Sequence, residues 1–145
     1  MALTMKAKKA ERSEAPWPQW VSEEFERSQQ NGCVGTSLLS EDGRVRIWEI
    51  RLAPGERIGF HRHQLDYFWT AVTAGRARSH QQDRSTVETE YYPGETRHES
   101  YRAGEFKIHD LENIGESDLV FTTVEFLQSA NPPLAVPDKV RLAAA

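Results

Sequence analysis

Short apolar runs separated by turn signals restrict the fold of this 145-residue chain more than any other sequence feature. Residues 45–52, 86–92 and 119–127 are rich in β-branched and aromatic side chains, and turn-forming residues precede each run. No helical pattern follows residue 32. Many short strands joined by turns predict an all-β sandwich or barrel.

The length predicts one domain with three parts. Residues 1–32 are expected to form a flexible tail to about residue 16, then an aromatic arm with Trp17 and Trp20, then a short helix with Ser22 as its N-cap. The arm is expected to anchor on the domain or on a second subunit. Residues 33–130 are assigned to the barrel and residues 131–145 to a C-terminal tail.

Charge and composition argue against several classes of protein. A formal net charge of −4, with no clustered basic face, argues against nucleic-acid binding. The chain lacks an apolar run long enough to cross a bilayer, so no membrane partner is expected and the expected location is cytoplasmic. Cys33 is the only cysteine, which excludes an internal disulfide and a cysteine-based zinc site.

Two histidines mark a candidate metal site. His61 and His63 are two residues apart, and residues i and i+2 of a strand project to the same face. Pro54-Gly55 forms a turn before them, and a further strand is predicted to end at Gly75. Both imidazoles could therefore reach one ion where one strand gives way to the next.

The spacing from Gly55 through His61-x-His63 to Gly75 resembles the first signature motif of the cupin family, except that Phe68 stands where that motif has glutamate. The segment from His109 to Asn113 resembles the end of the second motif. The resemblance covers roughly residues 45–127. It is strongest to small bacterial single-domain cupins with a His-x-His-x-x-Asp-Tyr variant motif, some of which are associated with β-alanine degradation.

The resemblance implies a cupin-type double-stranded β-helix, or jelly-roll, barrel with an N-terminal arm. It also implies that His61, His63 and His109 are metal ligands. Three imidazoles suit a divalent transition metal such as Fe, Ni, Zn or Mn, and they leave coordination positions open. With the motif glutamate absent, Asp66 is the nearest candidate for a carboxylate, and Tyr67 could offer a hydroxyl. Either residue is a candidate to move a proton in catalysis.

Three functions remain open at this point. The first is a metal-dependent enzyme or binding protein for a small organic-acid or amine-derived metabolite. The second is a three-histidine iron oxygenase, because loss of the glutamate resembles thiol dioxygenases. The third is a metal-free, non-catalytic binding module in which Phe68 makes the pocket more apolar. In each case the expected assembly is a homodimer that uses the aromatic arm.

Other polar and aromatic residues receive structural interpretations. His80 and His98 lie in polar segments and are predicted to be on the surface. The barrel lining or a dimer contact is expected to include four aromatic residues: Trp48, Trp69, Tyr91 and Phe121. Solvated strand faces are expected for three arginines, which could bind a carboxylate substrate if one faced inward: Arg46, Arg51 and Arg57.

Overall fold

The computed structural model describes residues 10–142. The described chain contains an α-helix, a short 3₁₀ helix at Asp138–Val140 and ten β-strands. In chain order these elements are β1 Ala10–Ser13, α1 Gln19–Arg27, β2 Ser37–Glu41, β3 Val45–Leu52, β4 Arg57–His63, β5 Tyr67–Ala71, β6 Gly75–His80, β7 Thr86–Tyr91, β8 Thr96–Glu99, β9 Lys107–Asn113 and β10 Leu119–Phe126.

The strands form two five-stranded sheets, with the orders β1-β7-β6-β9-β4 and β2-β3-β10-β5-β8. Every pair of neighbouring strands is antiparallel. Strands that are distant in sequence pair within each sheet, such as β3 with β10 and β4 with β9, and the chain passes repeatedly between the two sheets, as in a jelly roll. The predicted all-β fold is confirmed.

The main core lies between the sheets. On β3 every second side chain is buried, from Arg46 to Leu52, because successive side chains of a strand point to opposite faces. The core cluster draws on both sheets and consists of Ile50, Leu52, Ala71, Ala77, Leu111, Leu119 and Phe121. Gly75 packs so tightly here that a Cβ atom would lie 2.6 Å from Leu119 Cδ1, so any larger residue would require the buried Leu119 side chain to move.

Helix α1 covers the outer face of the first sheet. Its Val21 and Phe25 are buried against Phe60 of β4 and Ile108 of β9. The helix begins at Gln19, so the predicted N-cap at Ser22 is wrong: Pro18 occupies that position, and its carbonyl accepts hydrogen bonds from the backbone N–H groups of Val21 and Ser22 at 3.0 and 3.3 Å. Among the described residues, no helix has the length and apolar character needed to cross a membrane.

Parts of both predicted tails pack on the barrel. Ala10–Ser13 pairs with β7 as an edge strand, which corrects the prediction of a flexible segment there, since β7 offers unpaired backbone groups. Near the other end, the backbone N–H of Leu142 donates to the Leu38 carbonyl at 2.9 Å. Residues 1–9 and 143–145 of the predicted tails lie outside the described residues. The proposed domain boundaries at residues 32 and 130 stay predictions.

Strand β6 was not anticipated, because its sequence is polar. Arg76 and Arg78 pair with Glu88 of β7 through N–O distances of 3.1 and 3.0 Å. The alternate residues Ala77 and Ser79 are buried. Cross-strand ion pairs thus cover one face of a strand whose small side chains face inward.

Candidate metal centre

Three histidines meet on one face of the first sheet. In the pairing of β4 with β9, His61 lies opposite His109, and His63 lies opposite Lys107. A register irregularity between Ile58 and His61 precedes this pairing. The ligand atoms of His61, His63 and His109 all lie within 4.8 Å of one another. Within residues 10–142 this is the one group of three or more His, Cys, Asp or Glu side chains with such convergence.

The hydrogen bonds of the histidines leave Nε2 atoms available as ligands. His61 Nδ1 lies 2.9 Å from the Gly59 carbonyl oxygen, so it carries the proton and donates it. His109 Nδ1 lies 3.5 Å from Ser79 Oγ, which itself donates to the Asp110 carbonyl at 2.6 Å. Outer partners of this kind fix the tautomer and the ring orientation of metal ligands.

The spacing of the nitrogens fits a shared ion. His63 Nε2 and His109 Nε2 are 3.2 Å apart. Two imidazole nitrogens bound at about 2.0–2.1 Å to one ion lie roughly 2.9–3.4 Å apart at octahedral or tetrahedral angles. His63 Nδ1 is buried without a hydrogen-bond partner among the described residues, which leaves its tautomer free to adapt. These residues fit a divalent transition metal.

Burial keeps the imidazoles neutral. Removal from water lowers the pKa of His61 to about 4, and it holds the pKa of His63 and of His109 well below the usual value. The positive charge of Lys107 acts in the same direction on all three. Neutral imidazole is the form that binds metal, so the centre is ready to do so at physiological pH.

Tyr67 and not Phe68 faces the histidines. The Tyr67 ring stacks on His63 with centroids 4.2 Å apart, and both residues line a 50 Å³ cavity between the sheets. Phe68 packs against His98 and Phe126 on the opposite face of β5. The expectation that Phe68 fills the place of the missing carboxylate is therefore wrong, because a shift of one residue along a strand exchanges its faces.

Asp66 lies apart from the histidine cluster. Its carboxylate accepts a hydrogen bond of 3.0 Å from the backbone N–H of Tyr101. The residue lines a different cavity, together with Arg44 and Glu99. The structure therefore brings His61, His63, His109 and Tyr67 together and leaves Asp66 outside.

A buried charge network lies behind the centre, under α1. Asp110 is fully buried, and its carboxylate accepts hydrogen bonds from Arg57 Nε at 2.8 Å and from His80 Nδ1 at 2.7 Å. Arg57 also donates to both carboxylate oxygens of Glu24, at 3.0 and 2.6 Å. His80 and Arg57 are thus not the surface residues that the sequence predicted, because α1 covers the strand face that carries them.

The four aromatic residues that were predicted to line the barrel or a dimer contact lie in the interior. Trp69, Tyr91 and Phe121 line the same cavity as the histidines, as expected. Trp48 is buried, and its Nε1–H donates to Glu125 Oε1 at 2.7 Å.

Two other expectations for polar residues were right, and one was wrong. His98 and Arg51 are exposed, as predicted. Arg46 is only 8% exposed and pairs with Glu41 at 2.6 Å, which corrects its assignment to a solvated face. The side-chain amide of Asn113 donates hydrogen bonds to the backbone carbonyls of Leu52 and Ser117, at 2.9 and 2.8 Å.

No protein-family model matches the sequence, and a search of curated proteins found no match. Solved structures do match. A cupin domain from Bordetella pertussis Tohama I is 25% identical, with a TM-score of 0.53 over 60% of this chain and 85% of that one. A conserved double-stranded β-helix protein from Klebsiella pneumoniae is 21% identical, with a TM-score of 0.52 over 78% of this chain and 95% of that one.

A third structure, an RmlC-like cupin family protein from Methanocaldococcus jannaschii, is 19% identical, with a TM-score of 0.50 over 62% of this chain and 76% of that one. All three are named for a cupin or double-stranded β-helix fold. Together with the two-sheet topology, they show that this chain has the double-stranded β-helix fold of cupins.

Proposed function

We propose that the protein is a metal-dependent cupin in which His61, His63 and His109 hold one divalent transition metal ion, such as Fe, Ni, Zn or Mn. Its ligand or substrate is a small organic-acid or amine-derived metabolite. The convergence of three neutral imidazoles beside a cavity carries this proposal, with His61 and His63 buried and His109 half-buried. The resemblance to cupins associated with β-alanine degradation stays a prediction.

The residues around the centre have separable roles in this proposal. A bound ion would supply a Lewis acid that polarises an oxygen atom of the ligand. Tyr67 is the stronger candidate for proton transfer, because it lines the histidine cavity, and Asp66 remains the second candidate. Burial raises the pKa of Tyr67 well above its usual value, so its hydroxyl is a donor at neutral pH. Apolar neighbours such as Ile50 and Leu111 exclude water from the cavity.

Metal content of the tag-free protein, measured by plasma mass spectrometry, tests the proposal. We expect near-stoichiometric metal in the natural sequence and its loss in His61→Ala and in His109→Ala, because each substitution removes one of three ligands. His98→Ala is the matched control, since His98 is exposed and lies outside the cluster. Circular dichroism spectra establish that each variant is folded.

The result also separates the alternative functions. Iron, with oxygen uptake in the presence of a thiol, favours the three-histidine oxygenase. A natural protein that binds no metal, even after reconstitution with Fe, Mn, Ni and Zn, contradicts the metal-dependent proposal and favours the metal-free binding module. In that case the 3.2 Å contact between His63 and His109 is a simple hydrogen bond.

We also propose a homodimer. The aromatic arm packs on its own domain through Trp17, which contacts Phe25 and Phe60 with ring centroids 5.7 Å apart. Trp20, in the first turn of α1, is 53% exposed and is the side chain available to a second subunit. From the sequence alone, we also propose that the protein is cytoplasmic.

A further inference from the structure

A second cavity adjoins the histidine cluster at His109. Its volume is about 310 Å³, at the lower end of the range for ligand pockets, so it suits a small molecule. Apolar and aromatic walls come from Trp69, Val87, Tyr91 and Leu111. Tyr91, Trp69, Leu111 and His109 also line the inner cavity, so the two spaces are neighbours across the centre.

The charged side chains of this cavity carry one positive charge in excess, since two cations share one carboxylate. Arg97 Nε lies 3.0 Å from Glu99 Oε1, so these two charges neutralise each other. Lys107 is half-buried and has no carboxylate within 4.0 Å among the described residues. Because an ammonium group removed from water needs an anionic or polar partner, this lysine can accept one from a ligand.

Lys107 is well placed beside the centre. It precedes His109 by two residues on β9, so the two side chains share a face, and it lies opposite His63 in the strand register. The carboxylate of a ligand in the cavity can therefore contact Lys107 and lie beside the histidine centre.

We propose that Lys107 binds the carboxylate of a small organic acid, so that the ligand of the centre is a monocarboxylate with an apolar body and not an amine. This rests on the proposed function, because the centre acts on what the cavity holds. The excess positive charge of the cavity attracts an anion and repels an ammonium ion. A divalent metal ion held by neutral histidines would strengthen both the attraction and the repulsion.

Calorimetric titration at pH 7 and low salt, with butyrate, butyramide and butylamine as probes, tests the inference. It is run on zinc-loaded and on metal-free protein, with the metal content of each sample measured. For Lys107→Met, which keeps the side-chain length without the charge, we expect butyrate affinity to fall about tenfold, the size of one charged hydrogen bond. Lys107→Arg should keep most of the affinity. The matched control is Arg102→Met, an exposed cation that does not line the cavity.

The inference is overturned if Lys107→Met and Arg102→Met bind butyrate equally well, if butyramide or butylamine binds as tightly as butyrate, or if the natural protein does not bind butyrate. Failure of the proposed function is seen separately, as absence of zinc uptake. In that event the dependence on Lys107 in metal-free protein still decides whether this cavity is a carboxylate site.

Discussion

Glu125 is a carboxyl group held where water barely reaches it. It is 3% exposed, accepts a hydrogen bond from Trp48 Nε1, and faces Tyr67 across the pairing of β10 with β5. Burial raises the pKa of Glu125 to about 7, although the Trp48 hydrogen bond and the charge of Arg46 oppose the shift. The folded protein therefore keeps a proton that the unfolded chain releases at lower pH.

This proton makes stability depend on pH. Because the unfolded chain releases this proton at lower pH than the folded protein does, the free energy of unfolding falls as pH rises from about 4.5 to about 7. Above pH 7 both states have released the proton, and the loss is complete. Glu125→Gln keeps an oxygen acceptor for Trp48 and carries no charge. At pH 8 we expect the variant to have a free energy of unfolding higher by on the order of 2 kcal/mol, with no such gain at pH 4.5.

Urea unfolding from pH 4.5 to pH 8 measures this effect. Glu90→Gln, at an exposed position of β7, is the control and should follow the profile of the natural protein. Parallel profiles for Glu125→Gln and the natural protein would show that Glu125 titrates normally in the folded state.

At the scale of elements, α1 is tied to the barrel by charge as well as by apolar packing. The bidentate contact of Glu24 with Arg57 joins the helix to β4, and the contact of Arg57 with Asp110 joins β4 to β9. Since β4 and β9 carry the three histidines, this network lies directly behind the metal centre. It gives the helix a fixed position against those two strands.

Breaking the network should destabilise the fold. Arg57→Met leaves the fully buried Asp110 and the Glu24 carboxylate without their cation, and we expect the free energy of unfolding to fall by about 3 kcal/mol. Arg51→Met is the control, because Arg51 is exposed and its pair with Glu49 is worth at most about 1 kcal/mol. Urea unfolding followed by tryptophan fluorescence compares the two variants, and equal losses would argue against a structural role for the network.

At the scale of the whole molecule, we expect a particle of twice the 16.6 kDa mass of the chain. Trp20→Ser should shift it toward the monomer, because the substitution removes the exposed indole from a contact between subunits. Size-exclusion chromatography with light scattering measures both masses. Val72→Ser, which changes another exposed apolar residue, should leave the dimer intact. A natural protein that elutes at the mass of one chain would exclude the homodimer.

The sequence predicted those features of the fold and the centre that depend on residues close together in the chain. The strand at residues 45–52 was predicted with its observed bounds, and the His-x-His pair was correctly placed on one strand face. Strand β6 was missed, because its polar face is stabilised by cross-strand ion pairs with β7 that its own residues do not reveal. Tyr67 and Asp66 were both candidates beside the centre, and only the structure shows that Tyr67 stacks on His63, because residue spacing does not fix the face on which a strand begins.

By itself the sequence determined the period-two alternation, the turns that divide the strands and the placement of the His-x-His pair on one strand face, since these depend on residues close together in the chain. Only the tertiary structure decided that His80, Arg57 and Asp110 form a buried network and that Lys107 lines a cavity with one positive charge in excess. Such placements depend on which strands pair and on what covers their faces. Contacts of this kind form between residues far apart in sequence, and the energetics of burial select among them.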